Sequence, residues 1–371
     1  MIHQSVSVEH LLGDMLKKFL LMPLSVGLLA LPQLQQSTVA VEAVTNCELP
    51  ACTQVLGSKQ SKENEIPETD FIAWFEQGLE YGAQGRYEDE IASYDKALAI
   101  NPEFHDAWFY RGLALGFLNR YEDEVISYDR AITLQPNNGD TWFNRAVALE
   151  NLGQIDAAIT SYEAAGEANP EDAEAWYNRG ILLGGLGRFE EEIASYDKSL
   201  SIDPTSTDTW YNRGVSLGDL GRLEEEIESY DKALEQDPEN QDAWYNRGVA
   251  FGLLGEFEKE IESYDILLAL NPEDADTWYN RGISLSDLGQ ESEAIVSYRE
   301  AIRLDPQRDI VFYNIAVSQV RLGEIDAALD SLEKAIELNP ANRSFAETDV
   351  EFTELFDHPR FQELVLQEVL S

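Results

Sequence analysis

The chain has 371 residues, with 70 Asp and Glu against 26 Lys and Arg, a formal charge of −44. Such a balance argues strongly against a binder of phosphate backbones, which needs excess cations to displace counterions. A hydrophobic content of 44% is too rich for a wholly disordered acidic chain, two cysteines cannot staple a fold of this length, and four scattered histidines make no His-rich metal site.

Residues 1–43 differ in character from the remainder of the chain. Lys17 and Lys18 precede an uncharged apolar run over residues 19–31, and small residues stand at Ala40 and Ala43. A positive start, a short apolar run and small residues near a cut site describe a cleaved export signal. Two other readings stay open: a plain amphipathic N-terminal helix (or a start codon set too early), because Glu9 and Asp14 dilute the positive start, and a retained anchor, although the run is short for a membrane span. Cleavage would put the chain in the periplasm or outside the cell; otherwise it is expected in the cytoplasm. Residues 44–70 read as a flexible polar linker. In an exported chain Cys47 and Cys52 could form a local disulfide there; the CELPAC segment has a four-residue spacer, unlike the two of a redox motif.

From residue 71 the chain repeats. Trp74, Trp108, Trp142, Trp176, Trp210, Trp244, Trp278 and Phe312 follow one another at intervals of 34, so that eight units run from 71–104 to 309–342. Numbering each unit from 1, the aromatic is position 4, position 8 is Gly or Ala, and position 11 is mostly Leu, Phe or Tyr, one stripe at helical spacing. Glycine then breaks the pattern, as at Gly85 and Gly187, and a second helix carries Ile or Val at 21, Tyr at 24 and mostly Ala at 27. Asn-Pro or Asp-Pro usually ends the unit, and acids such as Asp106, Asp140, Glu174, Asp208, Asp242 and Asp276 at position 2 suit capping or the dipole of the next helix. Small residues at 8 and 27 let paired helices approach. One pair cannot bury both flanks, so pairs must stack, and Trp142, Trp176 and Trp210 should occupy matching surroundings one step apart.

These motifs, WYNRG, a glycine break and SYDKAL before Asp-Pro, resemble the tetratricopeptide repeat in a bacterial, cyanobacterial-like form. The resemblance covers 71–342. It implies an all-α solenoid of eight antiparallel helix pairs in a right-handed superhelix, whose concave groove, lined by each first helix, holds peptides or partner proteins. One departure is plain: position 20 is usually small in this family, yet Glu90, Glu124, Glu192, Glu226 and Glu260 stand there, with alanine only at Ala158, Ala294 and Ala328. Their carboxylates are expected to reach water or a partner.

A charge pair is written into the period. Position 7 supplies Arg111, Arg145, Arg179, Arg213, Arg247 and Arg281, and position 25 of the preceding unit supplies Asp95, Asp129, Glu163, Asp197, Asp231 and Asp265. The pattern breaks on both sides at once, at Arg299 and Ile315. A salt bridge between stacked pairs is the simpler reading, an anion site the other. If Asp197 were stranded in the interior, Arg213→Ala should cost about 3 kcal/mol.

Along the inner surface the resemblance implies for the first helices, position 6 gives Asn144, Asn178, Asn212, Asn246, Asn280 and Asn314, and position 5 gives aromatics including Tyr177, Tyr211, Tyr245 and Tyr279. Amides both donate and accept, so a ladder of them can serve the backbone of an extended peptide; bonding to a neighbouring helix is the alternative use. Position 9 is apolar, and Gly116, Gly184, Gly218 and Gly252 at position 12 are expected to leave room in the groove. Family members that clamp acidic peptide C-termini use lysines that are missing here, and the position-2 acids push the same way. The expected partner is therefore a neutral or basic protein segment, not nucleic acid, with membrane contact only through a retained N-terminal segment.

Residues 343–371 leave the period. Apolar clusters at Phe352, Leu355 and Phe356, and at Phe361, Leu364, Val365, Val369 and Leu370, read as short helices covering the last unit; His358 before Pro359 reads as turn or cap. No nucleophile, zinc, phosphate-loop or dinucleotide motif is present. The expectation is a non-catalytic binding scaffold without cofactor or metal; a structural or oligomerisation solenoid, or a regulatory arm for a catalytic partner, is the alternative.

Overall fold

The computed structural model describes residues 69–366, so the segment read as signal and linker, with Cys47 and Cys52, and the apolar Val369 and Leu370 lie outside the described residues. The described residues divide into two compact units between Pro102 and Glu103. In the first, α1 (Phe71–Gly82) and α2 (Tyr87–Ile100) form one repeat. The second holds seven consecutive helix pairs: α3 (His105–Phe117) with α4 (Tyr121–Leu134), α5 (Gly139–Asn151) with α6 (Ile155–Ala168), α7 (Ala173–Gly185) with α8 (Phe189–Ile202), and α9 (Thr207–Asp219) with α10 (Leu223–Gln236). They continue as α11 (Gln241–Leu254) with α12 (Phe257–Leu270), α13 (Ala275–Asp287) with α14 (Glu291–Leu304), and α15 (Asp309–Arg321) with α16 (Ile325–Leu338). The architecture is an all-α repeat of paired helices.

Local chemistry fixes where each helix starts and stops. The break between paired helices turns through the left-handed region at position 15, with φ from 68° to 76° at the seven glycines. In the repeat that lacks this glycine, Asn119 takes the same turn at φ 56°. First helices are capped by position 34: Asn138, Asp172, Ser206, Asn240 and Asp274 each accept from backbone N–H groups of the turn that comes next. The position-2 acids sit inside that first turn, so their favourable term is the dipole and not the cap.

Tyrosine at position 24 is the centre of the first seven repeats. Tyr94, Tyr128, Tyr162, Tyr196, Tyr230, Tyr264 and Tyr298 are all at most 2% exposed. A Cβ added to the position-8 glycines would stand only 2.3–2.6 Å from these rings, which is why glycine is tolerated in mid-helix there. Where position 8 is alanine, at Ala146, the Tyr162 ring meets its position-5 neighbour at 72°, against 40–42° in the four repeats beyond it.

The position-4 tryptophans do not all match. Trp142, Trp210, Trp244 and Trp278 each donate their indole N–H to a proline carbonyl six residues earlier, at 2.9–3.0 Å. Trp176 instead fills the place of a missing side chain: position 28 of the preceding repeat is Gly166, and a Cβ there would fall 2.5 Å from the indole. Its ring is 5% exposed and lies under the Lys198 ammonium at 3.6 Å.

At the far end α17 (Asn342–Thr348), a 3-10 turn over Val350–Leu355 and α18 (Pro359–Leu366) close the last pair. Phe352, Leu355 and Phe361 are buried with Leu329, Leu332 and Ile336 of α16. Phe356, expected in this lid, stays 37% exposed. Arg321 clamps the lid to the stack, bonding Glu351 at 2.9 Å and Glu291 of the previous pair at 2.9 Å.

Candidate functional site

The first helices of neighbouring repeats touch through their inner rows. Asn212 donates to the Tyr177 hydroxyl at 3.1 Å, Asn246 to Tyr211 at 3.1 Å, Asn280 to Tyr245 at 3.1 Å and Asn314 to Tyr279 at 3.2 Å. Each bond spans 35 residues, position 5 of one repeat to position 6 of the next. The amide spends one N–H on its neighbour and retains a second N–H and its carbonyl oxygen. The ladder is thus both a spacer between helices and a row of aimed amides. Its first two rungs differ. Phe109 and Phe143 stand where the phenol would be, and Asn144 turns back to the Asp140 carbonyl at 2.8 Å. For Asn178 the corresponding position 5 is Phe143, which has no hydroxyl to accept a bond.

The expectation of open space at the position-12 glycines is corrected. That space holds the chain's own carboxylates: a Cβ at Gly116, Gly184, Gly218 or Gly252 would meet a carboxylate oxygen of Glu124, Glu192, Glu226 or Glu260 at 2.5–2.8 Å. The position-20 glutamates accordingly point inward and not to water; Glu90, Glu124, Glu192 and Glu226 are 6–7% exposed. Their role is to meet the buried phenol at position 24, as Tyr94 donates to Glu90 at 2.9 Å and Tyr196 to Glu192 at 3.0 Å. In the third repeat the pair is exchanged: position 20 is Ala158, position 12 is Glu150, and Tyr162 donates to Glu150 from the other helix. The eighth repeat has Leu332 at position 24, and there Val320 and Ala328 stand in place of a carboxyl. Burial raises these carboxyls, Glu90 and Glu226 to about 7 and Glu124 to about 8, with the phenol bond pulling the other way.

The expected charge pairs lie between stacked repeats of the second unit. Arg145 reaches Asp129 at 2.7 Å, Arg213 Asp197 at 2.7 Å, Arg247 Asp231 at 2.6 Å, Arg281 Asp265 at 2.6 Å, and Arg179 Glu163 at 3.5 Å. Arg111 and Asp95 fall in different compact units. Sequence reasoning missed the serine at position 23. Each of the six arginines donates to this serine of its own repeat, at 2.5–2.8 Å, from Arg111 with Ser127 to Arg281 with Ser297. The Ser-Tyr-Asp triplet therefore ties one arginine within the repeat, packs the core and receives the next arginine. Asp197 is 55% exposed, so it is not stranded in the interior as the larger cost required. With both arms committed, Arg145, Arg179, Arg213, Arg247 and Arg281 have little left for an anion.

The inner face has a consistent chemical profile. Ile181 and Val215 at position 9 are 38% and 37% exposed and make an apolar rail. Exposed acids at position 2 run beside it, from Asp106 to Asp276. Burial and then the Asp208 carboxylate raise the Tyr177 phenol, and burial and then Asp242 raise Tyr211, placing each acid beside the tyrosine of the previous repeat. Tyr279 is an exception among the expected groove tyrosines: it is 5% exposed beneath Arg308. Among the described residues no group of three or more His, Cys, Asp or Glu is placed to hold a metal ion, and no helix is long and apolar enough to cross a membrane.

Models of the tetratricopeptide repeat match residues 75–139, 143–207, 195–228, 241–274, 275–308 and 311–342, and a TPR repeat model matches 216–255. Among solved structures, YrrB, described as a TPR protein with an unusual peptide-binding site, is 27% identical over 48% of this chain and 92% of its own, with a TM-score of 0.45. A MamA protein is 25% identical over 47% of this chain and 94% of its own, with a TM-score of 0.44. MamA from Desulfovibrio magneticus RS-1, residue 41 to its end, is 21% identical over 46% and 96%, with a TM-score of 0.42. No curated protein matches the chain.

Proposed function

The chain belongs to the tetratricopeptide repeat family, a non-catalytic scaffold that binds protein or peptide in its concave repeat groove, and we propose that its partner is an extended segment of neutral or basic character. The observation that carries this reading is the composition of the inner face. Asp208 and Asp242 are exposed on it and make no ion pair among the described residues, beside amides that keep an N–H and a carbonyl for a peptide backbone. A chain of charge −44 repels acidic segments before contact and steers basic ones toward it. Recognition is read as backbone-directed, with Asn178, Asn212 and Asn246 as its centre.

The bacterial wording of the motifs and the apolar run in residues 1–43 support an exported, periplasmic or secreted protein when that segment is cleaved, and a cytoplasmic one when it is not. Titration of the full chain with acidic and basic peptide pools at low salt tests the partner class: the basic pool should bind more tightly, and tighter binding of the acidic pool rejects it. The triple alanine variant at Asn178, Asn212 and Asn246 should lose binding with an unchanged circular dichroism spectrum.

A further inference from the structure

The seventh repeat carries a cation of its own on the inner face, and it reveals how one fits there. Position 34, which caps the next helix in the five preceding repeats, is Arg308 here, and it makes no cap bond to α15. It folds back over α13 instead. Its guanidinium lies 4.3 Å from the centre of the Tyr279 ring and pairs with the Asp276 carboxylate. Asp276 and Tyr279 are positions 2 and 5 of one helix, three residues apart and hence on one face. A carboxylate and an aromatic ring at this spacing make a two-point seat for a guanidinium, one ion pair and one cation–π contact.

The same seat is repeated without a cation from the chain. Asp242 with Tyr245 on α11 and Asp208 with Tyr211 on α9 stand at the same two positions. The residues corresponding to Arg308 are Asp274 and Asn240, and both are turned away to cap the helices they precede. Tyr211 and Tyr245 remain partly exposed, whereas Tyr279 is buried under its arginine. The tethers from Asn246 to Tyr211 and from Asn280 to Tyr245 hold both rings in place and bind the first helices side by side.

We propose that the Asp208/Tyr211 and Asp242/Tyr245 seats each take an arginine side chain of the bound segment, as Arg308 occupies the third seat, and that the partner carries its arginines three residues apart in an extended chain. The spacing comes from geometry. Neighbouring first helices meet through the Tyr–Asn bridge rather than backbone to backbone, which puts them at about the upper end of the helix-packing range, about 10 Å; an extended chain advances about 3.2–3.4 Å per residue, so one seat to the next is three residues. The proposal rests on the reading of the groove as a site for an extended neutral or basic segment and adds the register of its charges.

Synthetic Ser/Ala peptides with two arginines at i,i+2, at i,i+3 or at i,i+4, alike in composition, are titrated against the full chain at low salt by fluorescence anisotropy. The i,i+3 peptide should bind at least about fivefold more tightly than the others, the gain of a second exposed ion pair with its ring contact. Combining Asp208→Asn with Asp242→Asn should remove that preference, since Glu174 with Tyr177 on α7 is then a single acid–tyrosine pair with no neighbour to match. Arg308→Ala should open the third seat and improve a peptide with arginines at i, i+3 and i+6 more than the two-arginine peptide. Equal binding of the three spacings, or a preference that survives the combined asparagine substitutions, overturns the seats and leaves the groove reading standing. Failure of every peptide to bind overturns the groove reading itself.

Discussion

Tyr162 donates its buried hydroxyl to Glu150 on the helix opposite its own, while Tyr196, one repeat later, donates to Glu192 on its own helix. The phenol needs a buried acceptor, and either helix can supply it if the other keeps a small residue at the facing position. The pairs Glu150 with Ala158 and Gly184 with Glu192 are two solutions to one packing problem. Gly184→Glu alone would put two carboxylates in one space and should cost about 3 kcal/mol or more. Gly184→Glu with Glu192→Ala copies the third repeat and should recover most of that loss. Chemical denaturation of the single and double variants measures it; a double variant no more stable than the single would reject the exchange.

Buried carboxyls give the fold a pH dependence of definite sign. Glu124 is raised to about 8, and Glu90 and Glu226 to about 7, mainly by burial. Unfolded glutamate titrates near about 4.3, so between that value and the raised ones the native state holds more protons than the unfolded chain. Stability from these groups is complete below the unfolded value and is lost as pH rises through about 7 to 8. The melting temperature should therefore fall between about pH 5.5 and about pH 8.5. Net charge acts in the same direction, so the discriminating variant is Glu226→Gln, which is neutral at every pH. It should match the parent at about pH 4, below the unfolded value, and melt about 2–4 °C higher at about pH 8.5. A variant that tracks the parent across the whole range would assign the slope to charge repulsion alone.

Arg213→Ala tests how much the inter-repeat pairs contribute. Asp197 is 55% exposed and recovers hydration when its partner goes, which limits the electrostatic loss. The arginine is only 15% exposed, and its second arm holds Ser229 at 2.6 Å, so packing and one further bond are lost as well. The expected cost is about 1 kcal/mol. Urea denaturation of the parent and the variant decides it, and a loss near about 3 kcal/mol would mean that the carboxylate is far less hydrated than its exposure indicates.

The period made the helix pairs and the arginine–acid partners legible, because both recur at fixed positions and break together at Arg299 and Ile315. The inward glutamates were harder to read. Glutamate at position 20 and glycine at position 12 look like separate oddities, one polar and one spacious, until the third repeat exchanges both at once at Glu150 and Ala158. Serine at position 23 gave no signal by itself, since a small hydroxyl fits almost any helix position. Its partner lies sixteen residues earlier. The seat at Asp276 and Tyr279 depended on an exception at the cap position, Arg308, which periodicity averages away.

The tyrosine tethers separate the two uses of the amide ladder. Tyr211→Phe keeps the ring and removes only the hydroxyl that accepts from Asn246 at 3.1 Å. The amide is partly exposed and can turn to water, so stability should fall by no more than about 1 kcal/mol. What is lost is aim: a free amide rotates, and ordering it again on binding costs about 0.5–1.5 kcal/mol. Affinity for an extended basic peptide should drop severalfold, and Asn246→Ala should drop it further because the remaining N–H and carbonyl go too. The two variants and the parent are compared by the same anisotropy titration, with melting curves as the control for folding. If Tyr211→Phe binds like the parent while Asn246→Ala does not, the tether is a helix spacer only. If both bind like the parent, Asn246 is not part of the binding face.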